Sequence, residues 1–275
     1  MNNIFYDFSV LMSVYGKDNP LLIQEAVESI LKQTVQPSEL LVAVDGPVSK
    51  EITSLLEKYK KDINNFKIIY FEKNQGRGVV LQKVLPMCSF ELVALADADD
   101  INLPHRFEKL LNIFIADDKV SAAGGYIQEI DYDTKKKKSI KKVPMSEENV
   151  KKYSRYRSPI NHPTVMLKKS AVLAAGGYKP LYLMEDYFLW IRMINKGFKI
   201  CNIPEILVNM RINDNLYARR GGYKYFLSNK KIYDTMLELN MINYTLYCCN
   251  LLVRFTTQVL MPNFLRKKFY NLFLR

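Results

Sequence analysis

The sequence predicts an α/β fold: a mostly parallel sheet flanked by helices, with a helical extension at the C-terminus. Three observations predict it. From Phe8 to about Ala123, short β-branched apolar runs alternate with longer stretches of helical period, as successive βαβ units do. Right-handed crossovers then bring the strands' carboxyl ends to one edge, and Tyr15, Asp45, Asn74 and Asp97 all follow such ends. The last segment, residues 241–275, is apolar and basic, with Arg254, Arg266, Lys267, Lys268 and Arg275 and no acidic residue.

Taken in order, strands are expected at residues 8–14, 40–44, 67–71, 92–96 and 120–123, each an apolar run of strand length. Helices are expected between them at 20–32, 50–59, 79–87 and 104–116, where Pro104 suits a first helical position. The lysines at 135–138, with Lys141 and Lys142, read as a solvated loop between two apolar segments. A strand near 164–167, a short helix from Ser170 closing at Gly176-Gly177, and a helix from about Glu185 closing at Gly197 form an α+β continuation. After a break at Gly221-Gly222, a helix is expected over 223–239, and Pro262 should split the basic tail into two helices.

The chain has 275 residues, 48% of them hydrophobic, enough to bury one large core with an appendage. Its four cysteines, Cys88, Cys201, Cys248 and Cys249, form no Cys-x-x-Cys pair, and His105 and His162 alone cannot complete a zinc set. Free thiols in a reducing cytoplasm follow, with neither a leader nor a transmembrane stretch. A net charge of +12 suits nucleic acid, anionic lipid or a polyphosphate-bearing substrate. Nucleic acid calls for a basic stripe interleaved with exposed aromatics. These lysines are loop-bound or terminal, so no nucleic-acid partner is expected. The tail suits helices lying in an anionic membrane interface, or helices packed on the domain.

The most informative stretch runs from Glu91 to Asp100, where an apolar strand ends in three carboxylates, Asp97, Asp99 and Asp100. At the carboxyl end of a parallel strand, such a cluster can hold a hard divalent cation, Mn²⁺ or Mg²⁺, and leave positions for a nucleotide's phosphates. The alternative is an acidic turn feeding the next helix. Tyr15 could stack on a base or pack inside. Asp45, an acceptor only, suits a uracil imide N–H or forms an Asp-Gly turn. Arg77 could meet base, ribose or phosphate, or stay on the surface.

The order Ser9-Val10-Leu11-Met12-Ser13-Val14-Tyr15, Asp45-Gly46, Asn74-Gln75-Gly76, Asp97-Ala98-Asp99-Asp100 resembles family 2 of the bacterial nucleotide-sugar glycosyltransferases. Asn161-His162-Pro163-Thr164, Ala175-Gly176-Gly177-Tyr178, Glu185-Asp186-Tyr187 and Arg219-Arg220-Gly221-Gly222 are similar to its amylovoran-type polysaccharide branch. The resemblance covers roughly residues 8–223. It implies a GT-A fold with a Rossmann-like sheet: a catalytic domain over 1–222, divided into a donor half (1–125) and an acceptor half (126–222), then a basic amphipathic segment over 223–275. It implies inverting, metal-dependent transfer of one sugar from a nucleoside diphosphate, expected to be UDP, to a lipid-linked oligosaccharide at the inner face of the bacterial plasma membrane. By motif, Asp45 would meet the base, Asp97 the ribose or metal, and Asp99 the metal bridging the diphosphate, while Asp186 would be the general base. Asp100 leaves the metal assignment open among three carboxylates. The Gln-x-x-Arg-Trp signature of processive members is missing, so polymer synthesis is not expected.

The remaining candidates carry two readings each. His162 touches acceptor or diphosphate, or makes a structural hydrogen bond. Glu185 bonds an acceptor hydroxyl, or merely favours a helix N-terminus. Trp190 stacks on a sugar face, or lies in the core. Arg219 and Arg220 close over the diphosphate, for which arginine's fork is suited, or are ordinary surface charges. The competing class of function is an inactive relative serving as scaffold or binding protein in a polysaccharide assembly complex. A nucleotidyltransferase would need a glycine-rich loop after the first strand, where Gly16 stands alone.

Overall fold

The computed structural model describes residues 7–213, 219–262 and 265–266. Its frame is one sheet of nine strands among those residues. Four parallel strands come first: β1 (Phe8–Tyr15), β2 (Glu39–Asp45), β3 (Phe66–Phe71) and β4 (Leu92–Asp97), in the spatial order β3-β2-β1-β4. They coincide with the expected strands to within a residue or so at each end. Helices α1 (Pro20–Leu31), α2 (Lys50–Asp62) and α3 (Arg77–Val84) make the crossovers. α1 starts on Asn19, whose side chain accepts from Leu21 N at 3.0 Å, with Pro20 in the first helical position.

The period-2 alternation of the strands sorts their side chains into two cores. Val10, Met12, Val14, Val42 and Ala94 face one, roofed by α1, α2 and α4 (Arg106–Ala116). Leu11, Leu41, Ala43, Val93 and Leu95 face the other, closed by α3 and by α6 (Lys169–Ala174) and α7 (Glu185–Asn195). Each fully buried aliphatic side chain contributes about 1.5–3 kcal/mol, which is why residues of β2 are buried along its whole length.

Beyond β4 the sheet is mixed, and the expected strand at 120–123 is the start of a longer one, β6 (Val120–Asp131). It does not pair with β4. β8 (Met166–Lys168) lies between them, antiparallel to both. β6 continues parallel to β9 (Lys199–Ile212), and the two-residue β5 (Ile101–Asn102) closes the edge against β9. The lysine run is not a loop throughout. Lys137–Lys141 forms β7, antiparallel to β6 on the sheet's margin, where charged side chains discourage further strand addition. A helix not expected from the sequence, α5 (Glu147–Ser154), comes after it, capped by Ser146.

The last two helices, α8 (Tyr223–Glu238) and α9 (Tyr244–Phe255), pack on α7 through Tyr187, Ile191, Ile232, Tyr233 and Met236, with Leu246 and Leu251 against them. A π-helical turn over Thr256–Leu260 ends the run ahead of Pro262, and helical geometry returns at Leu265 and Arg266. The remainder of the expected tail, residues 267–275, lies outside the described residues.

Candidate active site

The carboxyl ends of β1, β2 and β4 open on a cavity of about 740 Å³. Tyr15, Asp45, Arg77, Asp97, Asp99, His162, Glu185, Asp186, Arg219 and Arg220 all line it. Of the sequence-derived candidates, Trp190 does not. It is fully buried in the core beneath α7, which excludes stacking on a sugar.

The opposite, amino-terminal edge shows what a structural carboxylate looks like in this fold. Glu39 is buried and accepts from Ser9 Oγ at 2.6 Å, Lys67 Nζ at 2.7 Å and Ser89 N at 2.8 Å. Burial would raise its carboxyl, but these donors hold it down to about 2. At the carboxyl edge the reverse holds. Burial, then the charge of Asp97, raises Asp99, and burial with both neighbours raises Asp100 strongly.

These carboxylates divide by partner. Asp100 is buried, accepts from Arg211 N at 3.0 Å and keeps its second oxygen without a hydrogen-bond partner. It fastens β4 to β9, and the Arg211 side chain tightens the joint by donating to the Asp99 carbonyl and to Glu25. Asp97 is held by the Arg77 guanidinium, whose second partner is His162 Nδ1 at 2.7 Å. Asp99 faces the cavity. A further carboxylate, Asp18, was not singled out from the sequence. It accepts from Tyr15 N at 2.9 Å, and burial, with the charges of Asp99 and Asp97 adding, pushes it up to about 7. Its signal was its position, three residues past the end of β1 on the edge where Tyr15 had been noted.

Among the described residues, no group of three or more His, Cys, Asp or Glu side chains is arranged to hold a metal ion. A magnesium-type site needs only one or two carboxylates when phosphates and water complete it. Asp97 and Asp99 meet that requirement. Burial raises Asp99 first, and the repulsion from Asp97 that adds to it is what a cation would relieve.

Asp45 sits differently from the expectation of a free hydrogen-bond acceptor. Its two oxygens accept from Gln75 N at 2.7 Å and Gly76 N at 2.9 Å, so it pins the glycine loop that leads into α3. Gly46 is required beside it: φ is +83°, and a Cβ would lie 2.5 Å from Asn74 N. Tyr15 is exposed and lines the cavity.

His162 is nearly fully buried, and its roles are fixed by its partners. Arg77 can only donate, so Nδ1 accepts, and Nε2 carries the proton toward Tyr178 Oη at 3.0 Å. Burial, with the Arg77 and Arg106 charges, keeps the imidazole neutral far below its usual range. Its Nδ1 thereby fixes one edge of the Arg77 guanidinium.

Glu185 and Asp186 open α7 across the cavity. Gly78 lets α3 approach them, since a Cβ there would meet Glu185 Cβ at 3.1 Å. Burial, then the charge of Asp186, pushes Glu185 up to about 6. Burial also raises Asp186, against the Tyr187 N–H at 2.7 Å and the charges of Arg77, Lys141 and Arg220. A partly desolvated carboxylate facing open space can take a proton near neutral pH.

Comparison with known proteins bears on family and fold. Residues 9–173 match the profile of Glycosyl transferase family 2. Over 257 residues the chain is 38% identical to the UDP-Gal:alpha-D-GlcNAc-diphosphoundecaprenol beta-1,3-galactosyltransferase of Escherichia coli, covering 94% of this chain and 93% of that protein. It is 32% identical over 255 residues to the amylovoran biosynthesis glycosyltransferase AmsE of Erwinia amylovora, covering 93% and 94%. Among solved structures, S. aureus TarS 1-349 in complex with UDP-GlcNAc superposes with a TM-score of 0.66 at 18% identity, covering 98% of this chain and 76% of that one, a likeness of fold.

Proposed function

Since the chain belongs to glycosyl transferase family 2 and is a glycosyltransferase, we propose that it moves one sugar, with inversion, from a UDP-sugar to a hydroxyl of a lipid-linked saccharide during surface polysaccharide synthesis. The observation that carries this is the pairing of two carboxylate centres across one cavity: Asp97 and Asp99 on one wall, Glu185 and Asp186 on the other. The relatives' names supply the donor and acceptor classes: a UDP-galactose donor with a diphosphoundecaprenol-linked acceptor in one, a UDP-GlcNAc complex in another.

In this reading the uracil stacks at Tyr15, and the glycine loop pinned by Asp45 shapes the nucleotide pocket. Asp97 and Asp99 would hold Mn²⁺ or Mg²⁺, which would supply positive charge against the departing diphosphate. Arg77, aimed by His162, lies where it can meet that same diphosphate. Asp186 takes the proton of the acceptor hydroxyl as the hydroxyl attacks the anomeric carbon from the face opposite UDP, and Glu185 bonds a neighbouring acceptor hydroxyl. Arg219, at the rim, adds to the diphosphate's surroundings. Both carboxylate centres are present, which supports an active enzyme over an inactive scaffold.

The acceptor's lipid calls for a membrane surface. No helix among the described residues is long and apolar enough to cross one. α9 instead turns Leu252 and Val253 outward, and Leu260 beyond it is also exposed. We place this face on the inner leaflet of the plasma membrane. Arg254 and Arg266 do not add charge to it, because they donate inward, Arg254 to the Tyr156 carbonyl at 2.6 Å and Arg266 to the Met261 carbonyl at 2.7 Å. The experiment that tests the function is a panel of UDP-sugars offered with a GlcNAc-diphosphate-alkyl acceptor and Mn²⁺ or Mg²⁺. Transfer from one donor is expected, and none from any would overturn the reading.

A further inference from the structure

Beside Asp186 the cavity carries two cations that the donor chemistry does not use, Lys141 at the end of β7 and Arg220. Lys141 differs from the other lysines of its strand. Lys137 and Lys138 are exposed, whereas Lys141 turns into the cavity. The strand end is fixed there, since Asn161 Nδ2 donates to the Lys141 carbonyl at 3.3 Å and to the Gly125 carbonyl on β6 at 2.9 Å. Burial, then the charges of Arg220 and Arg157, push the Lys141 ammonium down to about 7, and Asp186 and Glu129 do not offset this. Cations crowded together out of water are stabilised by an anion.

The position of the cluster says which anion. Arg77 acts on both carboxylate centres and Arg211 on the Asp99–Asp100 side, while Lys141 and Arg220 act on Asp186. The donor's diphosphate belongs with Asp97 and Asp99. The group next to Asp186 is the acceptor hydroxyl, and whatever lies at Lys141 is on the acceptor's side of it.

We propose that Lys141 and Arg220 form a subsite for the acceptor's own diphosphate, so that the accepting sugar is the one attached directly to the lipid diphosphate, its ring lying between these cations and Asp186. This rests on the transferase reading above and narrows its acceptor from any lipid-linked saccharide to the first sugar on the carrier.

The test uses the full chain with three alkyl acceptors of one sugar: the diphosphate, the monophosphate and the neutral glycoside. Wild type should prefer them in that order, chiefly through KM. Lys141→Gln should raise KM for the diphosphate acceptor on the order of tenfold and narrow its advantage over the neutral glycoside, with UDP affinity by calorimetry held; Lys141→Arg should keep the preference. An equal loss on all three acceptors, or weakened UDP binding, would overturn the assignment while leaving transfer itself intact. Absence of transfer to all three from every UDP-sugar overturns the acceptor reading, and this subsite with it.

Discussion

Replacing Asp45 by Asn separates two accounts of the nucleotide pocket, because the side chain keeps its shape and loses one acceptor. In the structure, both carboxylate oxygens accept backbone N–H groups, from Gln75 at 2.7 Å and Gly76 at 2.9 Å, and the residue is buried. Hydrogen bonds to a charged group contribute about 1.5–3 kcal/mol each. The amide oxygen of Asn can keep one at the lower neutral value, but its NH₂ confronts the other N–H donor and leaves it unmade, so the net loss is about 3 kcal/mol. At about 2–4 °C per kcal/mol for a domain of roughly this size, the melting temperature should fall by about 6–12 °C. UDP affinity should fall with it, on the order of tenfold or more, and saturating UDP should recover part of the thermal loss. Thermal unfolding and calorimetry on the same protein decide the matter. Weakened UDP binding with an unchanged melting temperature would refute the loop-pinning account and leave Asp45 as a direct reader of the base.

Asp186→Asn should keep UDP affinity while lowering kcat on the order of a hundredfold, the usual range for removing a general base; near-wild-type turnover would pass the role to Glu185. The base acts only when ionised, and burial raises both Asp186 and its neighbour Glu185, so activity should fall at a pH above the ordinary carboxylate value of about 4. An acid limb in the pH–rate profile near pH 4 would contradict the burial of this pair. Asp99→Ala should make UDP binding indifferent to chelator; wild-type binding that is equally indifferent would remove the metal from Asp97 and Asp99. Leu252→Asp with Leu260→Asp should reduce co-sedimentation with anionic vesicles several-fold, and equal sedimentation would remove α9 from the membrane.

The first four strands were legible because β-branched runs stood between clear helical periods, and the residues just past their carboxyl ends converge as expected. β7 was not, since alternating lysines on an edge strand carry no apolar signal to separate them from a solvated loop. β9 was hidden for a different reason: Asn202, Pro204, Glu205 and Asn209 break its pattern, and its partner β6 lies some seventy residues earlier. The missing strand explains the missing site residues. Lys141 and Arg211 come from β7 and β9, so neither was placed at the cavity. Trp190 kept two readings, because the helical period that placed it on α7 could not say which way that face turned, and it lies in the core.

The long parallel pairing of β6 with β9 runs across the boundary expected from the sequence between donor and acceptor halves, from Val120↔Lys199 to Asp131↔Ile212. Hinges need a few unconstrained backbone positions to absorb large changes in φ and ψ. Here the strands beyond β4 are woven into one hydrogen-bonded layer, and a clamshell motion of one part of the sheet against the other would have to tear that ladder. Substrates are therefore admitted to a preset gap, and small-angle scattering of the protein with and without UDP should give superimposable envelopes.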